Sequence, residues 1–137
     1  MLRSAGLALT LALAAVATGA AATAAPAPED HLTLTVADSG DPATDGTFEL
    51  GCHPAGGSHR APRAACDKLD ELTGWGRDPF APVAPDTPCT MQYGGPATAR
   101  LTGTWAGRPV NAAFQRTDGC ETARWSRFEP VLPHTVG

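Results

Sequence analysis

Thr98-Ala99-Arg100-Leu101-Thr102-Gly103-Thr104-Trp105, followed after Ala106-Gly107-Arg108 by Val110-Asn111-Ala112-Ala113-Phe114, is the stretch that decides the fold. Ala99, Leu101, Gly103 and Trp105 alternate with Thr98, Arg100, Thr102 and Thr104, and Val110, Ala112 and Phe114 resume the pattern. Side chains on a strand point to opposite faces in turn, so a period of two on each side of a glycine-containing turn predicts a hairpin with one buried face.

Two upstream segments carry the same period. From His31 to Val36, Leu32, Leu34 and Val36 alternate with Thr33 and Thr35; from Thr47 to Cys52, Phe48, Leu50 and Cys52 alternate with Glu49 and Gly51. Both read as half-buried strands, joined through turn chemistry at Ser39-Gly40-Asp41-Pro42 and Asp45-Gly46. Pro62 preorganises the first turn of a helix running to about Thr73 and ended by Gly74, with Ala65, Cys66, Leu69 and Leu72 on one face and Asp67, Lys68, Asp70 and Glu71 on the others. Asp118 with Glu121 resembles a capping box, and Trp125 with Phe128 gives an apolar face, so a second short helix is expected to start near Gly119 and end before Pro130. In the tail, Val131 and Leu132 are expected to add at most an edge strand, since Pro133 follows.

The chain has 137 residues and opens with Arg3, an Ala/Leu-rich run from Ala5 to Ala17, and small residues from Gly19 to Ala25. This is the pattern of a secretory signal peptide, residues 1–24, with Ala22-Thr23-Ala24 fitting the small-x-small cleavage rule. The apolar run is too short, and too interrupted by Thr10 and Thr18, for a membrane anchor, so no membrane association is expected after cleavage. Residues 25–137 then form one domain, opening with a flexible Pro- and Ala-rich arm over 25–30. Losing Arg3 makes the product one unit more acidic than the −4 of the whole chain, and no basic run remains to line a nucleic-acid groove.

Cys52, Cys66, Cys89 and Cys120 all follow the signal and enter an oxidising compartment, where two disulfides are the default. Three connectivities are open. The sequential one, Cys52 with Cys66 and Cys89 with Cys120, closes one short and one medium loop and is preferred, each bridge stabilising by about 3 to 4 kcal/mol in the chain-entropy model. A metal site from Cys52, His53, His59 and Cys66 is disfavoured because no Cys-x-x-Cys pair is present and exported thiols oxidise. No metal or cofactor is expected.

An enzyme needs a nucleophile with its base, a carboxylate pair or a metal cluster. Ser58 and His59 are neighbours in a glycine-rich loop, which is not the geometry of a nucleophile and base, and no Gly-x-Ser-x-Gly elbow exists. Asp67, Asp70 and Glu71 read as a solvated helix face, and Gly56-Gly57 and Gly94-Gly95 read as turns rather than phosphate loops.

The informative oddity is Met91. With Tyr93 it stands in the segment Gly74 to Pro96, which is dense in proline and glycine and has no sustained period. Loops of that length in a compact domain are usually functional. Large apolar side chains on a loop are either tucked inward or offered to a partner, and Cys89, two residues earlier, favours the second by fixing the loop's shape.

These residues resemble the Streptomyces-type subtilisin inhibitors, also called subtilisin inhibitor-like proteins. The matching stretches are Leu32-Thr33-Leu34-Thr35-Val36, Cys52-His53-Pro54-Ala55-Gly56-Gly57-Ser58-His59, Ala65-Cys66-Asp67-Lys68-Leu69, Cys89-Thr90-Met91-Gln92-Tyr93, and Gly103-Thr104-Trp105-Ala106-Gly107 with Val110 and Cys120. The resemblance implies an α+β fold with a five-stranded antiparallel sheet, or a four-stranded one where the altered tail adds no strand, two helices and sequential disulfides. It also implies a homodimer through the sheet and inhibition of extracellular serine proteases, subtilisin-like first. By position, Met91 enters the protease's S1 pocket, Gln92 follows the scissile bond, and Cys89, Thr90 and Tyr93 line the substrate cleft. The alternative on the same fold is a non-inhibitory secreted binding or substrate protein whose Gly94-Gly95 loop is too soft to resist cleavage.

Overall fold

The hairpin anticipated over 98–114 forms, and the two upstream strands pair beside it. A computed structural model describes residue 6 and residues 11–20 and 29–135 of the chain. Strands β1 (Asp30–Ala37), β2 (Gly46–Cys52), β3 (Thr98–Trp105) and β4 (Arg108–Phe114) make one antiparallel sheet in the order β2-β1-β3-β4. The register brings like faces together: Phe48, Leu34, Leu101 and Ala112 lie in one row across the sheet, and Leu50, Leu32, Gly103 and Val110 in another. Their neighbours Glu49, Thr33, Thr102 and Asn111 make the opposite, polar face, where the Thr33 hydroxyl donates to Glu49 and Arg100 to Asn111. Alternation in sequence thus becomes one apolar face and one wet one.

Helices α1 (Pro62–Thr73) and α2 (Gly119–Arg127) supply the second layer. Pro62 opens α1, which buries Ala65, Cys66 and Leu69 and is tied to β2 by the Cys52–Cys66 disulfide; Leu72 packs at the core's edge. In α2 the Asp118 carboxylate caps the first turn by accepting the Glu121 N–H at 2.9 Å. Trp125 and Phe128 are fully buried, and the Phe128 ring meets Phe114 of β4 edge-on at 4.7 Å. Each such large apolar side chain contributes about 1.5–3 kcal/mol by leaving water. The fold is therefore α+β, with both disulfides paired sequentially.

Two expectations need correction. The sheet has four strands among the described residues: Val131 and Leu132 form no edge strand, because both N–H groups donate back to the Phe128 carbonyl in a turn. Their side chains are fully buried, closing one end of the core. The N-terminal arm does not reach Asp30, which is buried within β1 and accepts the Ala106 N–H at 2.7 Å. Residues 25–28 of the arm and the signal cleavage point lie outside the described residues.

Candidate functional site

The segment from Thr87 to Ala99 carries no charged side chain, and Asp86 and Gly95, both at positive φ (65° and 114°), bracket its first part. Within it the chain is held at two places. Cys89 is bonded to Cys120 in the first turn of α2, and the next carbonyl, Thr90, accepts the Gly119 N–H at 3.0 Å. Four residues on, the Gly94 N–H donates to the Arg116 carbonyl at 2.7 Å, and Arg116 Nε donates back to the Gly94 carbonyl at 2.8 Å.

Between these anchors stand Met91, Gln92 and Tyr93. Met91 is 91% exposed and Tyr93 63%, so neither is tucked inward. The bridge expected at Cys89 is present, and close packing at Gly94 gives the loop a second hold. A Cβ at Gly94 would fall 2.5 Å from the Thr122 hydroxyl oxygen, 3.2 Å from its methyl and 3.3 Å from Arg116 Cβ, so glycine is there for close approach. Arg116 is itself buried, its guanidinium over the Trp125 ring at 5.7 Å. The arrangement can present a short uncharged peptide, apolar at Met91 and Tyr93, with its backbone held on both sides.

The groups set aside as structural prove to be so. Ser58 Oγ accepts the Glu49 N–H, while His59 is buried, with Nδ1 accepting from Ala61 N–H and Nε2 donating to the Val131 carbonyl. Cys52 and Cys66 are spent in their disulfide, and the cluster Cys89, Asp118 and Cys120 likewise offers two sulfurs already bonded to each other. Asp70 is engaged by His53, whose Nδ1 lies 2.6 Å from Asp30 and Nε2 3.0 Å from Asp70. These bonds, the Asp30 one first, hold the His53 pKa above its ordinary value. Arg116, Gly119 and Thr122 are the supporting residues that sequence reasoning missed. The charge at Arg116 and the helix-start position of Gly119 gave no sign of contact with the loop.

Comparison with known proteins decides the family. A family model described as subtilisin inhibitor-like matches residues 25–117, which span the whole sheet and the loop. The chain belongs to the subtilisin inhibitor-like family. Subtilisin inhibitor-like protein 1 of Streptomyces cacaoi is 35% identical over 94 residues, covering 66% of this chain and 82% of that relative. Among solved structures, Streptomyces caespitosus sermetstatin in complex with Bacillus licheniformis subtilisin is 28% identical, with 77% of this chain and 98% of that one covered at a TM-score of 0.48.

Proposed function

We propose that the exported domain is a substrate-like inhibitor of serine endopeptidases and that Met91–Gln92 is its reactive bond. Membership of the subtilisin inhibitor-like family makes the chain a subtilisin-type protease inhibitor rather than an enzyme. The observation that carries the bond assignment is the 91% exposure of Met91 on a backbone fastened at Thr90 and Gly94.

A loop already held in one shape loses little conformational entropy on docking, so its contacts translate into affinity. Protease–inhibitor interfaces are among the tightest known for their size. Met91 is unbranched and polarizable, filling a roomy apolar S1 pocket and offering no charge to an acidic one. Subtilisin- and chymotrypsin-like enzymes are therefore preferred over trypsin-like ones. Cys89, Thr90 and Tyr93 lie along the cleft on either side.

In the reaction, the protease's serine oxygen adds to the Met91 carbonyl carbon, the bond to nitrogen breaks, and the Gln92 amine leaves with the proton taken from the serine. With both ends still fastened to the domain, that amine stays beside the acyl group and can attack it in reverse, expelling the serine oxygen and restoring the peptide bond. Inhibition lasts as long as this return outruns hydrolysis and release.

Arg3, the apolar run and Ala22-Thr23-Ala24 support export with cleavage before Ala25, and among the described residues no helix is long and apolar enough to cross a membrane. A homodimer through the sheet, which the family resemblance implies, would bring together the polar face bearing Thr35, Thr47, Arg100 and Thr104, and light scattering of the exported domain tests it. The deciding experiment titrates that domain against subtilisin, chymotrypsin and trypsin in parallel. Stoichiometric inhibition of the first two and weak inhibition of trypsin is expected. Rapid, complete cutting after Met91 without lasting loss of protease activity would make the protein a substrate instead.

A further inference from the structure

Every loop anchor described above lands on one short stretch, Arg116 to Thr122. The half of the loop before the reactive bond is tied to Cys120 and Gly119, and the half after it to Arg116 and Thr122. A disulfide holds the first half, whereas noncovalent contacts, and Arg116 above all, hold Gly94 in the second. Arg116 grips Gly94 by two hydrogen bonds in opposite directions, one from its main chain and one from its side chain. Its guanidinium has no carboxylate partner among the described residues. The ring beneath it, Trp125, is fully buried and fixed by a hydrogen bond from Nε1 to the Pro133 carbonyl.

We infer that Arg116 is a positioning residue for resynthesis of the reactive bond, holding the Gln92–Gly94 side so that the freed Gln92 amine stays at the Met91 acyl group. The inference rests on the Met91–Gln92 assignment. Once the bond is broken, the acyl group on the protease serine partitions between two nucleophiles. Attack by the Gln92 amine forms the peptide bond again and returns the proton to the serine oxygen; attack by water leaves a Met91 carboxylate and a free serine. Which one wins depends on how closely the amine is held, because orienting one reactant beside another is worth a large effective concentration. The disulfide cannot supply this, since it holds only the acyl side. Gly94 is two residues from the amine, and Arg116 Nε is the side-chain donor on its carbonyl.

The test compares Arg116→Met and Arg116→Lys with the wild-type domain and with Leu50→Ala, a core truncation in β2 at the opposite edge of the sheet from β4. Each protein is incubated with catalytic subtilisin, starting once from intact and once from cleaved inhibitor, and the ratio of intact to cleaved chain at equilibrium is read by mass spectrometry. Arg116→Met is expected to shift the ratio toward the cleaved form by about tenfold, the scale of one charge-assisted hydrogen bond. Arg116→Lys should fall between, because an ammonium still donates to the Gly94 carbonyl, and Leu50→Ala should keep the wild-type ratio despite its lower melting temperature. A wild-type ratio in Arg116→Met, or an equal shift in Leu50→Ala, overturns the inference. If Arg116→Met does not fold, the Arg116→Lys ratio decides alone by the same criterion. Failure of the bond assignment itself shows separately, as wild-type protein that does not inhibit or is cut elsewhere than Met91–Gln92.

Discussion

Gly119 donates its N–H to the Thr90 carbonyl at 3.0 Å and comes so close that a Cβ on it would lie 2.0 Å from the Thr90 hydroxyl oxygen. The first residue of α2 thereby sets the height of the loop one residue before Met91. Gly119→Ala should push Thr90 outward and weaken inhibition of subtilisin by roughly tenfold, about 1.4 kcal/mol, with little change in the sheet. Introduced into Thr90→Ala, which lacks the hydroxyl, the same change should cost much less. The double-mutant cycle of inhibition constants measures that difference. Equal losses in both backgrounds would mean that this contact does not position the loop.

Met91 decides the choice of protease under the proposed function. Met91→Asp places a charge where an apolar S1 pocket has no partner for it, and inhibition of subtilisin should fall by at least about a hundredfold, the cost of burying an unpaired charge. Met91→Lys should lower subtilisin inhibition and raise trypsin inhibition, since an acidic pocket then gains its counter-charge. Neither change should move the melting temperature appreciably, because the side chain is 91% exposed. Inhibition unchanged in both variants would place the reactive bond elsewhere.

The elements that sequence alone conveyed are those governed by short-range periodicity. Leu32, Leu34 and Val36 in β1 and Ala99, Leu101 and Trp105 in β3 could be placed because a period of two has one structural meaning. Pro62 and Gly74 marked the ends of α1 because each acts locally on the backbone. Met91 stood out as a large apolar residue outside any period. Arg116 and Gly119 were not legible, since what matters about them is a carbonyl more than twenty residues away. Arg124 did leave a trace. It lies four residues before Phe128, on the buried stripe of α2, where a charged side chain needs a reason. The tail misled because Val131 and Leu132 look like strand residues, while their burial satisfies the core through a turn and not through sheet pairing.

His53 predicts a pH dependence. Its ring bridges Asp30 of β1 and Asp70 of α1 and lies 5.6 Å from Trp105 of β3, so three elements meet at one imidazole. The hydrogen bond to Asp30, then that to Asp70, raises its pKa above 6.5. A raised pKa means that the folded state binds the proton more tightly than the unfolded one. The stabilisation is complete below pH 6.5 and is lost as pH climbs through the raised value. With the side chain 41% exposed, solvent screening limits the effect to about 1 kcal/mol or less. Thermal denaturation between pH 6 and 9 should show the wild-type melting temperature falling, and His53→Gln should flatten that fall. The same decline in His53→Gln would assign it to other groups.

Arg124 holds the long irregular segment to the sheet. Only 3% exposed, it donates from one terminal nitrogen to the Ala113 carbonyl at 2.6 Å and from the other to the Phe80 carbonyl at 3.0 Å, with its guanidinium 4.1 Å from the Phe114 ring. Burial lowers its pKa, yet a guanidinium starts so high that it stays charged. Arg124→Met should fit the space but leave both carbonyls without this donor, at a cost of about 2–3 kcal/mol and a drop in melting temperature of roughly 10 °C. Arg124→Lys should recover only part of that, because an ammonium lacks the planar fork that spans two acceptors. Hydrogen exchange should then report faster opening around Asp78 to Pro82. Under the proposed function the Met91 loop should still inhibit, since its own anchors at Arg116, Gly119 and Cys120 do not include Arg124. Loss of inhibition in a folded Arg124→Met would show that the two loops are coupled through α2.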